Sequence, residues 1–227
     1  MSFLADFVSI VYPSRCLTCD SDLFKGEKYF CYLCLSDLPK TMHLGMKENP
    51  VYNLFYGRSE VETACALLEF EDGNKTQKIM HQLKYANNPK LGYYMGKILG
   101  LEMSTLKLYS GIDLVLPIPL HPVKKLKRGY NQSEQIAKGI ADGLKIEMNV
   151  RMLKRIKRTE SQTKRGRIQR WQNVSNVFHF KMSKWSARHI LIVDDVVTTG
   201  STLEAAMKAI RIKSPIKISV ATLARSG

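Results

Sequence analysis

The sequence predicts an α/β fold, a largely parallel sheet flanked by helices, with a small N-terminal unit organised by four cysteines. Three observations carry that expectation. From residue 61 onwards, apolar strand-like runs alternate with amphipathic helix-like segments, the pattern of βαβ units. Two Cys-x-x-Cys pairs lie within the first 40 residues. An apolar run at Ile190 ends in two adjacent aspartates and a hydroxyl-rich turn, and open α/β sheets bind ligands at such strand ends.

A chain of 227 residues holds one full α/β domain and a small appendage. Its 44% hydrophobic content suits a packed core. No stretch approaches the roughly 20 apolar residues of a membrane span, and Met1–Tyr12 lacks the positive leader and cleavage site of a secretion signal. A cytoplasmic protein is therefore expected. Leu4, Phe7, Val8 and Val11 fall at i, i+3, i+4 and i+7, predicting a short amphipathic helix that Pro13 ends. Packing of that helix on its own protein is the simpler reading; peripheral contact with the inner membrane is the other.

Cys16, Cys19, Cys31 and Cys34 form two knuckles separated by eleven residues. Each knuckle can supply two corners of a tetrahedral Zn²⁺ site. About 40 residues have too little core to fold unaided, and structural zinc contributes on the order of 10–16 kcal/mol in small fingers. Disulfides and a redox pair are the alternatives; the missing secretion signal weighs against the first and the doubled spacing against the second. Four sulfur ligands leave no open position, so the metal's role would be structural. Cys65, in an apolar run, reads as a small buried hydrophobe. The expected organisation is a helix plus four-cysteine unit over 1–40, a linker or hood region over 41–60 punctuated by Gly45, Asn49-Pro50 and Gly57, and the α/β domain over 61–227.

Within that domain Val61–Phe70 reads as a strand, and Thr76–Tyr85 as a helix with Ile79, Met80 and Leu83 on one face. Pro89 starts a longer helix to about Leu106. Ile112–Leu120 reads as an apolar strand, Asn131–Leu144 as a helix and Phe178–Phe180 as a short strand. Ile190–Val193 is a buried strand, Ser201–Ile212 a helix and Ile216–Leu223 the closing strand.

Charge is unevenly spread. The net is +15, yet residues 1–40 are slightly acidic, while residues 151–170 carry nine basic side chains against Glu160 alone. Such a field favours a pyrophosphate, a nucleotide or a nucleic-acid backbone. A solvated face without a ligand fits the run equally well.

The chemistry concentrates at Ile190–Thr202. Asp194 and Asp195 stand at the strand's end, and Thr198, Thr199, Gly200, Ser201 and Thr202 turn into the next helix. Free backbone N–H groups at that turn and the helix N-terminus attract an anion. Two carboxylates would repel a bare phosphate but accept hydrogen bonds from vicinal hydroxyls. A ribose 5-phosphate group satisfies both halves. An acid pair that only chelates Mg²⁺ or caps the helix is the plainer alternative.

The stretch resembles the phosphoribosyl pyrophosphate (PRPP) signature of type I phosphoribosyltransferases: apolar residues, two acids, then a turn ending Thr-Gly-x-Thr. That resemblance implies that Asp194 and Asp195 bind ribose hydroxyls and Thr198–Thr202 the 5-phosphate. Nearly the whole chain is also similar to the ComF (ComFC, GntX-like) competence family, a four-cysteine unit followed by a phosphoribosyltransferase-like domain. The matching blocks are Pro117-Ile-Pro119-Leu120-His121-Pro122, Arg128-Gly-Tyr-Asn131-Gln132-Ser-Glu134, Thr159-x-x-Gln162-x-x-Arg165-x4-Arg170-x-x-Asn173 before Phe178, and the final Leu223-Ala224-Arg225.

Transfer from PRPP expels pyrophosphate, which Mg²⁺ and basic side chains must stabilise. In related enzymes a loop between two central strands supplies them, and residues 151–170 hold that place in chain order. Lys164, Arg165 and Arg170 are the catalytic candidates, with Lys84 and Arg128 as further pyrophosphate contacts; a solvated charge is the alternative for each. The chain ends directly after its last strand, so a base pocket is expected from residues 41–80 or the cysteine unit. Two functions follow from the resemblance. One is a PRPP-binding protein that assists uptake of single-stranded DNA beside the uptake machinery in natural transformation. The other is a working transferase for an unidentified acceptor.

Overall fold

The computed structural model describes residues 14–156, 177–181, 187–212 and 216–227; the helix expected over Leu4–Val11 lies outside them. After α1 (Tyr32–Ser36) and α2 (Pro50–Asn53) come β1 (Ala64–Phe70), α3 (Lys75–Tyr85) and α4 (Pro89–Ser104). β2 (Leu114–Pro117), α5 (Pro122–Arg128), α6 (Gln132–Leu144) and β3 (Glu147–Met148) follow. β4 (Leu153–Arg155) and β5 (Phe178–Phe180) pair antiparallel as a separate two-stranded sheet. β6 (His189–Val197), α7 (Ser201–Arg211) and β7 (Lys217–Ser226) close the chain.

The main sheet runs β1-β7-β6-β2-β3 and every pair in it is parallel. Both its faces are covered, which is why its strands read as near-continuous apolar runs. Cys65, Leu67, Leu191, Val193, Ala221 and Leu223 pack with Ile79, Leu83, Met95 and Ile136, from α3, α4 and α6. Ala64, Leu116, Ile190, Ile192 and Val220 pack on the opposite side with Leu203, Ala206 and Met207 of α7, with Val51 and Phe55, and with Phe178 and Phe180 of β5. From β2 the chain leads to β3 on one side of the sheet, whereas from β6 it leads to β7 on the other. The crevice between β2 and β6 is therefore the topological switch point.

α4 and α6 approach closely because glycines line their contact. A Cβ on Gly96 would lie 2.1 Å from the Ile136 carbonyl oxygen, and one on Gly139 would lie 2.2 Å from that of Tyr93. Both obstacles are backbone. Overpacking of this kind costs about 1–3 kcal/mol, more than the roughly 1 kcal/mol of helix propensity that alanine would add. The glycines thus set how near the N-terminus of α6 comes to the sheet.

The cysteine unit rests on the main domain. Cys16, Phe30, Cys34 and Leu38 share the core of α3 and α4, Tyr29 meets Tyr94 with ring centroids 5.1 Å apart, and Lys78 Nζ donates to the Thr18 carbonyl at 2.7 Å.

Most elements fall where the periodicity places them. The short elements α1, α2, β3 and β4 have no counterpart in the sequence reading, β7 runs on to Ser226, and three further departures have plain physical reasons. β6 continues through both aspartates, because its register with β7 persists from Asp194↔Thr222 to Val197↔Arg225. The strand expected over Ile112–Leu120 narrows to four residues, since the prolines at 117 and 119 cannot donate to a ladder. α5 was not expected; Pro122 opens it, His121 Nδ1 accepts from the Val123 N–H, and Gly129, at φ +78°, closes it.

Candidate functional site

Asp194 and Asp195 sit on β6 at the crevice. Ser133, at the start of α6, donates its hydroxyl to Asp194 Oδ1 at 2.8 Å, and the Asp195 N–H donates to the same oxygen at 2.9 Å. Asp195 Oδ1 accepts from the Val196 N–H at 2.8 Å. Burial pushes the Asp194 carboxyl up, as does the charge of Asp195, while Ser133, the Asp195 N–H and Arg155 pull it back; the outcome is a pKa raised to about 7.

A cleft of about 180 Å³ opens over this pair. Lys84, Lys124, Arg128 and Arg155 line it, together with Thr202 and the Ile118–Leu120 turn. Lys84 Nζ stands 4.0 Å from Asp195 Oδ2. Arg155 leans on the Phe178 ring at 5.4 Å, and burial lowers its pKa against the opposing charge of Asp194. Sequence reading counts Arg155 among the nine basic residues of 151–170, a polyanion-binding run or a solvated face; β4 carries it into the cleft.

The block Arg128–Ser133 builds one wall. The Tyr130 hydroxyl and the Gln132 amide both donate to the Leu83 carbonyl, fixing the end of α3 and hence Lys84. Asn131 Nδ2 donates to the Ile118 carbonyl at 3.0 Å, and Arg128 donates to Gln132 Oε1 at 3.0 Å.

On the other side, residues 198–202 turn into α7. Gly200 adopts φ +73°, and a Cβ there would lie 2.9 Å from the Phe55 ring; glycine is required on both counts. Among the described residues no side chain caps the start of α7, which leaves its first N–H groups to an anion. Thr198, Thr199, Ser201 and Thr202 are exposed around them. Arg58 straps the turn from outside, donating to the Leu54 and Thr199 carbonyls at 3.1 Å each and pairing with Glu204.

The four sulfurs of Cys16, Cys19, Cys31 and Cys34 lie within 4.8 Å of one another. Zn–S bonds of about 2.3 Å in a tetrahedron would set sulfurs about 3.8 Å apart; Cys19 and Cys31 are already 3.8 Å apart. The Cys31 N–H points at Cys16 Sγ and the Cys34 N–H at Cys31 Sγ, each at 3.4 Å. The Thr18 hydroxyl favours ionisation of Cys34, but burial and the three neighbouring sulfurs outweigh it and push that thiol up to about 11. Four thiolates need a cation between them, and the donor set fits zinc.

Comparison with known proteins bears on this geometry. Residues 98–227 match the phosphoribosyl transferase domain. The chain is 30% identical to Competence protein F of Haemophilus influenzae over 153 residues, 65% of this chain and 67% of that protein. The chain belongs to the ComF family. It is 29% identical over 128 residues to the DNA utilization protein YhgH of Escherichia coli K12, covering 55% of this chain and 56% of that one. Against Competence protein ComFC of Bacillus subtilis it is 24% identical over 217 residues, 93% of this chain and 84% of that one. This ComF protein is accordingly a competence-related, phosphoribosyltransferase-like protein.

Of the site residues expected from the sequence, the fold brings Asp194, Asp195, Thr202, Lys84 and Arg128 to one cleft; Thr198–Ser201 precede Thr202 in the turn and do not line it. Lys164, Arg165 and Arg170 lie outside the described residues. Sequence reading gives Ser133, Lys124 and Arg58 no role and names Arg155 only as part of the basic run at 151–170. Ser133 stands inside the Arg128–Glu134 block, where the sequence alone gives it no role; Arg58 carries no signal, because its partners beside the turn, Thr199 and Glu204, are 141 and 146 residues away.

Two outcomes follow. Protein purified under reducing conditions should hold one Zn²⁺ per chain, and Cys31→Ser should lose the metal and unfold the N-terminal unit; a metal-free protein with that unit intact would contradict the assignment. The folded chain also keeps a proton on Asp194 that the unfolded chain releases near pH 4. Stability without ligand should therefore fall as pH rises from about 4 to about 7. Asp194→Asn should remove that part of the decline in melts recorded between pH 5 and 8, and an unchanged decline would refute the burial of this charge.

Proposed function

We propose that this ComF protein binds PRPP in the crevice between β2 and β6 and assists the internalisation of single-stranded DNA in natural transformation. The observation that supports the first half is a single cleft holding an acid pair, an uncapped helix N-terminus at its edge and four cations. In this reading Asp194 and Asp195 accept from the ribose hydroxyls. The N–H groups at Ser201 and Thr202 hold the 5-phosphate with the surrounding hydroxyls. Lys84, Lys124, Arg128 and Arg155 face the pyrophosphate, charge against charge.

Mg²⁺ suits such a cleft, since it is commonly bound by one or two carboxylates together with substrate phosphates; bound there, it would neutralise charge on the pyrophosphate. The acid pair supplies the carboxylates. Everything else falls to the chain: Ser133 keeps Asp194 oriented, and Arg58 holds the loop that receives the 5-phosphate.

The second half rests on the relatives, whose names speak of competence and DNA utilization. No helix among the described residues is long and apolar enough to cross a membrane. The protein would work from the cytoplasmic side beside the uptake machinery, where the N-terminal apolar segment could also touch the inner membrane.

A second reading, an active transferase for an unidentified acceptor, is favoured by the four cations. Their position suits stabilisation of a departing pyrophosphate as well as capture of a bound one. Release of pyrophosphate from PRPP across a panel of bases separates the two.

PRPP with Mg²⁺ at a hundredfold excess over Kd should stabilise the fold by about 2.7 kcal/mol, a melting shift of about 5–10 °C for a chain of this size. Asp195→Asn should stay folded and lose most of the shift. Saturating PRPP without any shift would overturn the reading.

A further inference from the structure

A second concavity, about 500 Å³, adjoins the acid-pair cleft and shares Lys84, Lys124 and Arg128 with it. Its outer wall is α5. That helix has seven residues and none of them is buried; Leu126 is 87% exposed and Val123 54%. Four of the seven are cationic: Lys124, Lys125, Lys127 and Arg128. Among the described residues Lys125 alone has a carboxylate partner, Glu134 at 3.7 Å. An element that buries nothing and crowds like charges adds little to folding, and its repulsion is relieved by an anionic ligand.

The inner wall is the end of α3. Tyr85 is 69% exposed. His81 backs its ring at 5.1 Å between centroids, with the planes inclined by 44°, so the ring is braced on one side. The two walls are joined firmly. Gly129, which closes α5, packs so near Asn87 that a Cβ would lie 3.2 Å from its side-chain oxygen, and Leu83, ahead of Lys84 and Tyr85, receives two hydrogen bonds from the start of α6.

We propose that the trough formed by Lys84, Tyr85, Lys124, Leu126, Lys127 and Arg128 binds single-stranded nucleic acid, with one base stacked on Tyr85 and the phosphates following α5 towards Asp194 and Asp195. This rests on the DNA-handling part of the proposed function and gives it a surface other than the basic stretch at 151–170. Exposed aromatics alternating with cations along a groove are how single strands are held without sequence preference. A pyrophosphate alone would use the cations and leave Tyr85 and Leu126 idle. A duplex keeps its bases stacked inside and cannot offer one to the ring.

The test uses the full chain and a fluorescent 20-nucleotide oligo-dT in anisotropy titrations. Tyr85, Leu126 and Lys127 do not line the acid-pair cleft. The combination Tyr85→Ala, Leu126→Ala and Lys127→Gln should weaken the single strand about tenfold or more, lower the salt slope by about 0.7 and leave the PRPP melting shift intact. Tyr85→Phe should bind as wild type, which separates stacking from damage to α3. Wild type should also prefer the single strand over a duplex of equal length. Wild-type protein that binds no single strand would overturn this surface and the DNA-handling reading together. Wild-type binding that the triple variant retains would overturn the surface alone, as would a variant that loses PRPP and oligo-dT in parallel.

Discussion

A carboxylate held within β6, directly after four fully buried residues, sets the terms for the rest of this molecule. Ile190 to Val193 are all sealed in the core, and Asp194 follows them with little water to solvate its charge. The protein answers with the Ser133 hydroxyl, a backbone N–H and the nearby Arg155. Each comes from a different element, so each element has to arrive in the right place. Ser133 is in position only because α6 can lie against α4, and α6 can do so only because Gly96 and Gly139 let two backbones nearly touch. Arg155 arrives on β4, outside the main sheet. Packing far from the crevice is thereby tied to the charge within it.

The anion side is held by a different logic. Thr198 and Thr199 of the turn are exposed, and exposed turns are ordinarily mobile. Here Phe55 fills the space beside Gly200 and Arg58 clamps the Thr199 carbonyl to Glu204. Both residues come from the stretch between the cysteine unit and β1. The sequence reading treated that stretch as linker or hood; in the fold it braces the loop. The cysteine unit packs on α3 and α4, the helices that carry Lys84 and the Gly96 contact, so metal binding there would steady the same scaffold.

Much of this was legible in the sequence because local patterns encode it. Apolar runs and helical periodicity located the long strands and helices, since burial on both sheet faces demands such runs. Paired cysteines and the Asp194–Thr202 stretch were legible because their chemistry is contiguous. What escaped depends on partners distant in the chain. Arg58 meets Thr199 only through the fold, Arg155 looked like one charge among nine, and Ser133 looked like an ordinary first-turn residue. α5 escaped for another reason: it buries nothing, so no periodicity marks it. Its cations read as surface charge until the cavity beside Tyr85 gave them a common wall.

In the function proposed here the acid pair recognises vicinal ribose hydroxyls while the adjoining turn holds the 5-phosphate. Calorimetric titration with ribose 5-phosphate and with 2-deoxyribose 5-phosphate tests it most directly, because the two ligands share the phosphate and differ in one hydroxyl. A hydrogen bond to a charged group contributes about 1.5–3 kcal/mol, so the account predicts that removing the 2-hydroxyl weakens binding by roughly ten- to a hundredfold. Equal affinity for the two sugars would contradict it.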